Sequence, residues 1–164
     1  MARLLRGNAE GTLDMKGRAT VPTRFRAMFE GKDLVLWEPQ GLHQPYLVLT
    51  SDDYFDEIVQ REYAGAEKRD RQDLIHDIYG HMDDIELDSA ARFVIHEKYN
   101  DKAGFQRGDK LFFLANQTYM EIWSLEVWKA REAQRRQERS LLDYTPDPVE
   151  QAIRQTAGGD TPHE

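Results

Sequence analysis

The chain repeats itself, and this constrains its fold more than any other feature of its 164 residues. Leu13-Asp14-Met15-Lys16-Gly17-Arg18-Ala19-Thr20-Val21 aligns with Leu87-Asp88-Ser89-Ala90-Ala91-Arg92-Phe93-Val94-Ile95, 74 residues later. Leu, Asp and Arg coincide, and Val21 falls opposite Ile95. Downstream, Arg24-Phe25 matches Lys98-Tyr99, and each copy then reaches a glycine, Gly31 or Gly104. Apolar segments follow in both: Asp33 to Trp37 against Lys110 to Leu114, then Tyr46 to Thr50 against Tyr119 to Trp123. Ser51 and Ser124 open the next segments, carrying Tyr54-Phe55 and Val127-Trp128. Short loop insertions account for an offset that drifts between 73 and 77 residues.

Each copy reads as strand, tight turn, strand, short helix, strand, strand, helix. β-Branched residues stand where strands use them, around turns carrying Lys16-Gly17 in the first copy. Pro22 pre-sets φ for a helix start, and Gly31 can stop that helix. Four short strands cannot close a barrel alone, whereas two copies in one chain can cover each other's edges. Between the copies, Ser51, Asp52 and Asp53 offer N-caps ahead of an apolar stripe at Tyr54, Phe55, Ile58 and Val59. Leu74, Ile75, Ile78, Tyr79 and Met82 again follow helical spacing. Lys129 to Leu142 continues as a charged helix, and a polar stretch broken by Pro146, Pro148, Gly158, Gly159 and Pro162 predicts disorder from about Asp143 onward. The expected organisation is a first module at 1–60, a helical connector at 61–82, a second module with its terminal helix at 83–142, and a tail at 143–164.

A formal charge of −8 argues against a polyanionic partner until its distribution is considered. Residues 1–26 hold six basic and two acidic side chains, a balance of +4. The rest holds 16 basic and 28 acidic, a balance of −12. One end of the chain is therefore cationic. The chain has no cysteine, so it has neither disulfides nor a thiolate metal site. The N-terminal segment has no apolar stretch long enough for a secretory signal, and no apolar run reaches the roughly 18 residues that span a bilayer. The expected location is the cytoplasm, in association with the nucleoid. No Gly-rich phosphate loop, nucleophile elbow or His-Glu-x-x-His pattern is present. His76 and His81 lie five apart, off a common helical face, and read as solvated helix-end residues rather than metal ligands. The expectation is a protein without cofactor, metal or catalytic site.

The spacing Asp-x-x-x-Arg is common by chance, but here it occurs twice, in register within a repeat, at Asp14–Arg18 and Asp88–Arg92. With Arg6-Gly7, Val21-Pro22, Gly80-His81 and Glu121-Ile122-Trp123, these motifs make residues 1–142 resemble the MraZ family, whose members carry paired modules of the AbrB-like, swapped-hairpin β-barrel type. The resemblance implies an α+β fold, with two tandem modules forming the barrel and short helices around it. It also implies a transcriptional regulator that binds short direct repeats in double-stranded DNA upstream of its own division and cell-wall operon. Such a regulator works as a homo-oligomeric ring, expected to hold eight or more subunits, with no membrane partner.

Arg18 is the first candidate for DNA contact, since a guanidinium reads guanine or clamps a phosphate. The competing role is an internal salt bridge to Asp14. Lys16 sits at the turn tip, Gly17 suits a left-handed turn, and Asp14 and Asp88 are read as turn-structuring. Arg92, Arg3 and Arg24 are further DNA candidates, with Arg6 beside them, and Arg26 is read as an anchor for its short helix. The second copy departs from the family pattern, with Ala91 where Gly precedes the Arg, His96 where Pro follows the strand, and Ser89-Ala90 lacking a cation. The first module is therefore expected to carry most of the contact, and Arg92 to be the more structural arginine. Trp37, Trp123 and Trp128 read as core or subunit-interface residues. Three alternatives remain: an AbrB-like antitoxin or transition-state regulator, a scaffold whose acidic surface binds a protein partner, and a small hydrolase using the His and Asp residues between Asp73 and Asp88.

Overall fold

The computed structural model describes residues 5–39, 45–64, 70–99, 104–141 and 149. The tail from 143 falls outside them except at Val149, as does Arg3. The described elements run β1 (Asn8–Thr12), β2 (Arg18–Thr20), a 3-10 turn (Thr23–Phe25) leading into α1 (Arg26–Phe29), β3 (Leu34–Trp37) and β4 (Tyr46–Ser51). Helices α2 (Asp52–Ala64) and α3 (Asp70–Tyr79) follow. The second copy then gives β5 (Met82–Ile85), β6 (Arg92–Val94), a 3-10 turn (Glu97–Tyr99), β7 (Lys110–Asn116), β8 (Tyr119–Ser124) and α4 (Leu125–Leu141). None of these helices is long and apolar enough to cross a membrane. Residues 1–129 form one compact unit and residues 130–164 another.

The fold is α+β, with its strands in a six-stranded antiparallel sheet ordered β1-β7-β8-β4-β3-β5 and a two-stranded ribbon of β2 and β6. The copies interlock. β1 of the first pairs with β7 of the second, and β5 of the second pairs with β3 of the first. The sequence expectation of swapped hairpins is met, and the barrel-like enclosure comes from the ribbon packing over the sheet.

The pairing registers reveal a pseudo-twofold axis. Adding 74 converts β2 (18–20) into β6 (92–94), and adding 73 converts β4 (46–51) into β8 (119–124). Under those shifts each strand pairs with its own equivalent. Ala19 faces Phe93, where 19 + 74 = 93, and Val48 faces Glu121, where 48 + 73 = 121. The axis therefore passes through Ala19–Phe93 on the ribbon and Val48–Glu121 on the sheet. The same strand registers align Gly31 with Gly108, since Leu34 and Leu111 are equivalent (an offset of 77), and not with Gly104 as the sequence reading had it.

β3 is apolar throughout, and β4 from Tyr46 to Leu49, because both of their faces are covered. Leu34, Leu36, Leu47 and Leu49 join Phe113, Met120 and Ile122 in the main core, which the ribbon closes with Ala19, Val21, Phe93 and Ile95. On the other face, Val35, Trp37 and Val48 pack against Phe55, Val59 and Ile78 of α2 and α3. Phe112 and Trp123 pack with Leu125 and the half-buried Trp128 at the start of α4. The three tryptophans are thus packing residues, Trp128 stacking on Phe112 at 4.7 Å between ring centroids.

Two helix readings need correction. Ser51 closes β4, and its Oγ is buried without a partner among the described residues, so it does not cap α2. Asp52 and Asp53 instead place negative charge in that helix's first turn. Of the second helical stripe, Ile78 is buried while Ile75 and Tyr79 are exposed, and Met82 begins β5. The side chains of Ile58 and Leu74 lie outside the described residues.

Candidate nucleic-acid interface

Both Asp-x-x-x-Arg segments fold into the same cross-braced turn. Asp14 Oδ1 accepts from the backbone N–H of Lys16 at 2.9 Å and of Arg18 at 2.8 Å, while Oδ2 accepts from Arg18 Nε at 2.9 Å. Asp88 Oδ1 accepts from the N–H of Ala90 and of Arg92, both at 2.9 Å, and Oδ2 from Arg92 Nε at 2.7 Å. The main chain closes each loop: Asp14 N–H donates to Arg18 O at 2.9 Å, and Asp88 N–H to Arg92 O at 3.0 Å. A carboxylate as short as aspartate reaches three donors only because the fourth residue turns left-handed, at φ 77° for Gly17 and 59° for Ala91. That requirement sets the spacing of the motif.

These bonds also set the charge state. The Arg18 backbone N–H, foremost, holds the Asp14 carboxyl below the usual carboxylate range; desolvation opposes it, and Arg18 Nε and the Lys16 N–H add to the lowering. The Arg92 backbone N–H does the same for Asp88. Both aspartates are ionised and turned inward onto their arginines. Each arginine spends only Nε on its aspartate, leaving the two Nη groups without a protein acceptor among the described residues. The free Nη edge is the part that pairs with guanine or phosphate.

The ribbon brings the two arginines together. Arg18 is paired with Val94 and Thr20 with Arg92, while Ala19 and Phe93 point into the core. Alternation therefore puts Arg18, Thr20, Arg92 and Val94 on one outward face. The arginines are diagonal neighbours across the strands, which places their Cα atoms roughly 7–8 Å apart. The turns stand at opposite ends of this face. One carries the exposed Met15 and Lys16, the other the exposed Ser89 and Ala90. Gly17 O accepts from Ile95 N–H, and Ala91 O from Val21 N–H, each at 2.9 Å, so the turns are stitched to the partner strand symmetrically. A two-stranded ribbon of this kind fits a DNA major groove.

Other cations named from sequence have different duties. Arg24 Nη1 donates to Asn8 O at 2.9 Å and lies over the Phe25 ring, bracing β1. Arg26 Nε donates to Val21 O at 3.0 Å, tying α1 to the end of β2. Lys16 is exposed and makes no ion pair among the described residues. Sequence reasoning missed Arg107, whose Nη2 pairs with Glu97 at 2.8 Å and whose Nη1 donates to Met15 O at 3.4 Å, propping the first turn from 92 residues away. No local pattern signals a partner at that distance. Lys98 and Tyr99 were also missed in this role: both donate to Asp83, at 2.8 Å and 2.5 Å. Burial pushes the Asp83 carboxyl up, but these two bonds outweigh it and the net direction is down. Burial, reinforced by Asp83, pushes the Tyr99 hydroxyl far above its usual range. The first-copy counterparts are Ala9, Arg24 and Phe25, so this ion cluster belongs to one end of the barrel alone.

The sequence has relatives. The chain is 30% identical over 138 residues to the transcriptional regulator MraZ of Photorhabdus laumondii, covering 76% of this chain and 82% of that protein. It is 28% identical over 134 residues to the transcriptional regulator MraZ of Methylobacillus flagellatus, covering 78% and 86%. The transcriptional regulator MraZ of Caldanaerobacter subterraneus shares 27% identity over 126 residues, covering 77% and 85%. No family model matches the chain. The 30% identity to the Photorhabdus protein, over 76% of this chain and 82% of that protein, shows that this chain belongs to the MraZ family.

Proposed function

We propose that the chain is a sequence-specific DNA-binding transcriptional regulator, and that the β2–β6 ribbon is its reading surface. Modules 1–60 and 83–142, joined by the 61–82 connector, then act as one head rather than two. Arg18 and Arg92 contact bases through their free Nη groups, Lys16 contacts a phosphate, and Asp14, Gly17 and Asp88 hold the turns in shape. The observation that carries this reading is the pair of half-exposed arginines on one outward ribbon face, each aimed by a carboxylate that leaves its bidentate edge free. The relatives named transcriptional regulators MraZ support it. Arg24 is committed to Asn8 and has at most a supporting part.

The net charge of −8 opposes DNA binding as a whole, so one head binds weakly. We therefore assign recognition to several heads on a ring of identical subunits, engaging short direct repeats upstream of the protein's own division and cell-wall operon on the nucleoid. Linking weak heads raises affinity when the repeat spacing matches the ring. An electrophoretic mobility shift with the DNA upstream of the protein's own gene tests this. Wild type is expected to bind, with affinity falling steeply with salt and rising with the number of repeats. Loss of the shift on Arg18→Ala, with circular dichroism unchanged, supports the reading. An unchanged shift in Arg18→Ala, or no shift by intact oligomer at low salt, points instead to the acidic surface and a protein partner.

A further inference from the structure

The ribbon's backbone is twofold and its surface chemistry is not. Among the described residues only five large apolar side chains are well exposed, and two of them flank Arg18: Met15 at 71% and Val94 at 58%. Val94 is the direct cross-strand partner of Arg18, and Met15 stands in the turn that Arg18 closes. The pseudo-twofold axis replaces both with hydroxyls around Arg92, where 15 + 74 gives Ser89 and 94 − 74 gives Thr20. One half of the face is therefore Met–Arg–Val and the other Ser–Arg–Thr.

Neither apolar side chain belongs to the core. Ala19 and Phe93 fill the core behind this face, while most of Met15 and more than half of Val94 stand in water, where they gain little from burial. β-Propensity explains a β-branched residue on the ribbon, but threonine meets that need equally well at position 20. What an exposed methyl-rich side chain beside a guanine-reading arginine can do is cover the C5-methyl of thymine, the apolar feature of the major groove. Hydroxyls there accept from or donate to either base.

Resting on the proposed DNA reading, we infer that Met15 and Val94 are specificity-determining residues. They make the Arg18 half of the head select thymine next to its guanine more strongly than the Arg92 half, where Ser89 has no methyl and Thr20 has one beside its hydroxyl. The head then reads DNA in one direction. Identical directional heads arrayed around a ring meet equivalent sites only when the repeats run head to tail, so the asymmetry requires direct rather than inverted repeats.

The test uses the full-length protein and a random-sequence duplex library, followed by replacement of single thymines by deoxyuridine in the selected duplex. That replacement removes one methyl and leaves the pairing edge unchanged. Wild type is expected to select a non-palindromic site and to lose about fourfold in affinity for each contacted methyl removed, the value of one buried methyl group. Val94→Ser and Met15→Ser, which leave no methyl at either position, are each expected to abolish one of these deoxyuridine effects. The reciprocal double exchange Thr20→Val with Ser89→Met is expected to add a thymine preference beside the second guanine. All four positions are solvent-facing, and circular dichroism checks the fold of each variant. Wild-type binding that ignores every thymine-to-deoxyuridine change overturns the inference while leaving the DNA reading intact. So does deoxyuridine sensitivity unaltered in both single variants, a selected site identical in both directions, or a reciprocal exchange without a new preference. Enrichment of no duplex overturns the DNA reading and this inference with it.

Discussion

Ala91 occupies the backbone position that Gly17 holds in the other turn, left-handed at φ 59° against 77°. A Cβ in that region costs an L-residue roughly 1–2 kcal/mol. The three bonds accepted by Asp88 hold the alanine there nonetheless. Ala91→Gly removes the Cβ strain and returns part of the gain as unfolded-chain entropy, so a net stabilisation of about 0.5–1 kcal/mol is expected. Gly17→Ala is expected to cost a similar amount, because its Cβ would sit at an ordinary 3.6 Å from Ile95 O and only the φ penalty remains. Urea unfolding midpoints, at unchanged slope, measure both. A destabilised Ala91→Gly would mean that the turn is not strained.

The strands legible from their own apolar composition are those in the middle of the sheet, while the strands on either side of each turn were read from the repeat. β3, β4, β7 and β8 read as apolar runs because they stand in the middle of the sheet. β1, Asn-Ala-Glu-Gly-Thr, is an edge strand with one face in water; the repeat places a strand ahead of the turn, but the composition of Asn8 to Gly11 does not show how far it extends. The interlocking of β1 with β7 and β5 with β3 was expected from the family resemblance and from the need to cover edges, but its register was not, because strand partners are chosen by tertiary register and not by local pattern. Met82 illustrates the same limit: its spacing continues the α3 stripe, yet backbone pairing with Trp37 makes it a strand residue. On the ribbon face, the repeat located Asp14, Arg18, Asp88 and Arg92. It did not indicate that Arg18 and Arg92 share one face with Val94 and Thr20, which follows from the ribbon register. Arg18 and Arg92 make equivalent bonds, so any difference between them comes from their neighbours.

The two turn carboxylates should give the fold an acid-sensitive window. Their folded-state values lie below the ordinary 3.8, so the stabilisation is complete above that value and is lost as pH falls through the depressed one. Asp14→Asn and Asp88→Asn remove the charge and one acceptor from the cross-brace at every pH. Thermal melts should therefore show wild type above each variant at neutral pH, with the gap closing below about pH 3.8. A gap that is constant down to pH 2 would separate the carboxylate charge from the stability of the turn.

On the sheet side of the axis, Glu121 faces Val48, and the asymmetry is held by hydrogen bonds. Glu121 Oε1 accepts from the buried Trp123 Nε1 at 3.0 Å, and Oε2 from Asn116 Nδ2 at 2.9 Å. Copying the first module's residue with Glu121→Val removes an acceptor from both donors and is expected to cost about 1–3 kcal/mol. Glu121→Gln keeps an acceptor oxygen and should cost less. Chemical denaturation ranks the pair, and equal stability of the valine variant would mean that other acceptors compensate.

The equivalence of the two turns makes a quantitative statement about DNA. Arg18 and Arg92 present the same free Nη edge from the same brace, so truncating either should cost about 1–3 kcal/mol of binding, concentrated at one base position each. Lys16 has no counterpart cation, since position 90 is alanine. Lys16→Ala should weaken binding evenly across sequences and flatten the dependence of log K on log salt by about 1. Competition titrations at two salt concentrations, using duplexes mutated one base at a time, separate these signatures. If Arg92→Ala behaves like Lys16→Ala, with a salt effect and no base effect, the second turn is a phosphate anchor and the ribbon reads sequence from Arg18 alone. If both arginines give base-specific losses, the pseudo-twofold axis of the fold is also the axis of the reading head, and the thymine preference assigned to Met15 and Val94 alone sets its direction.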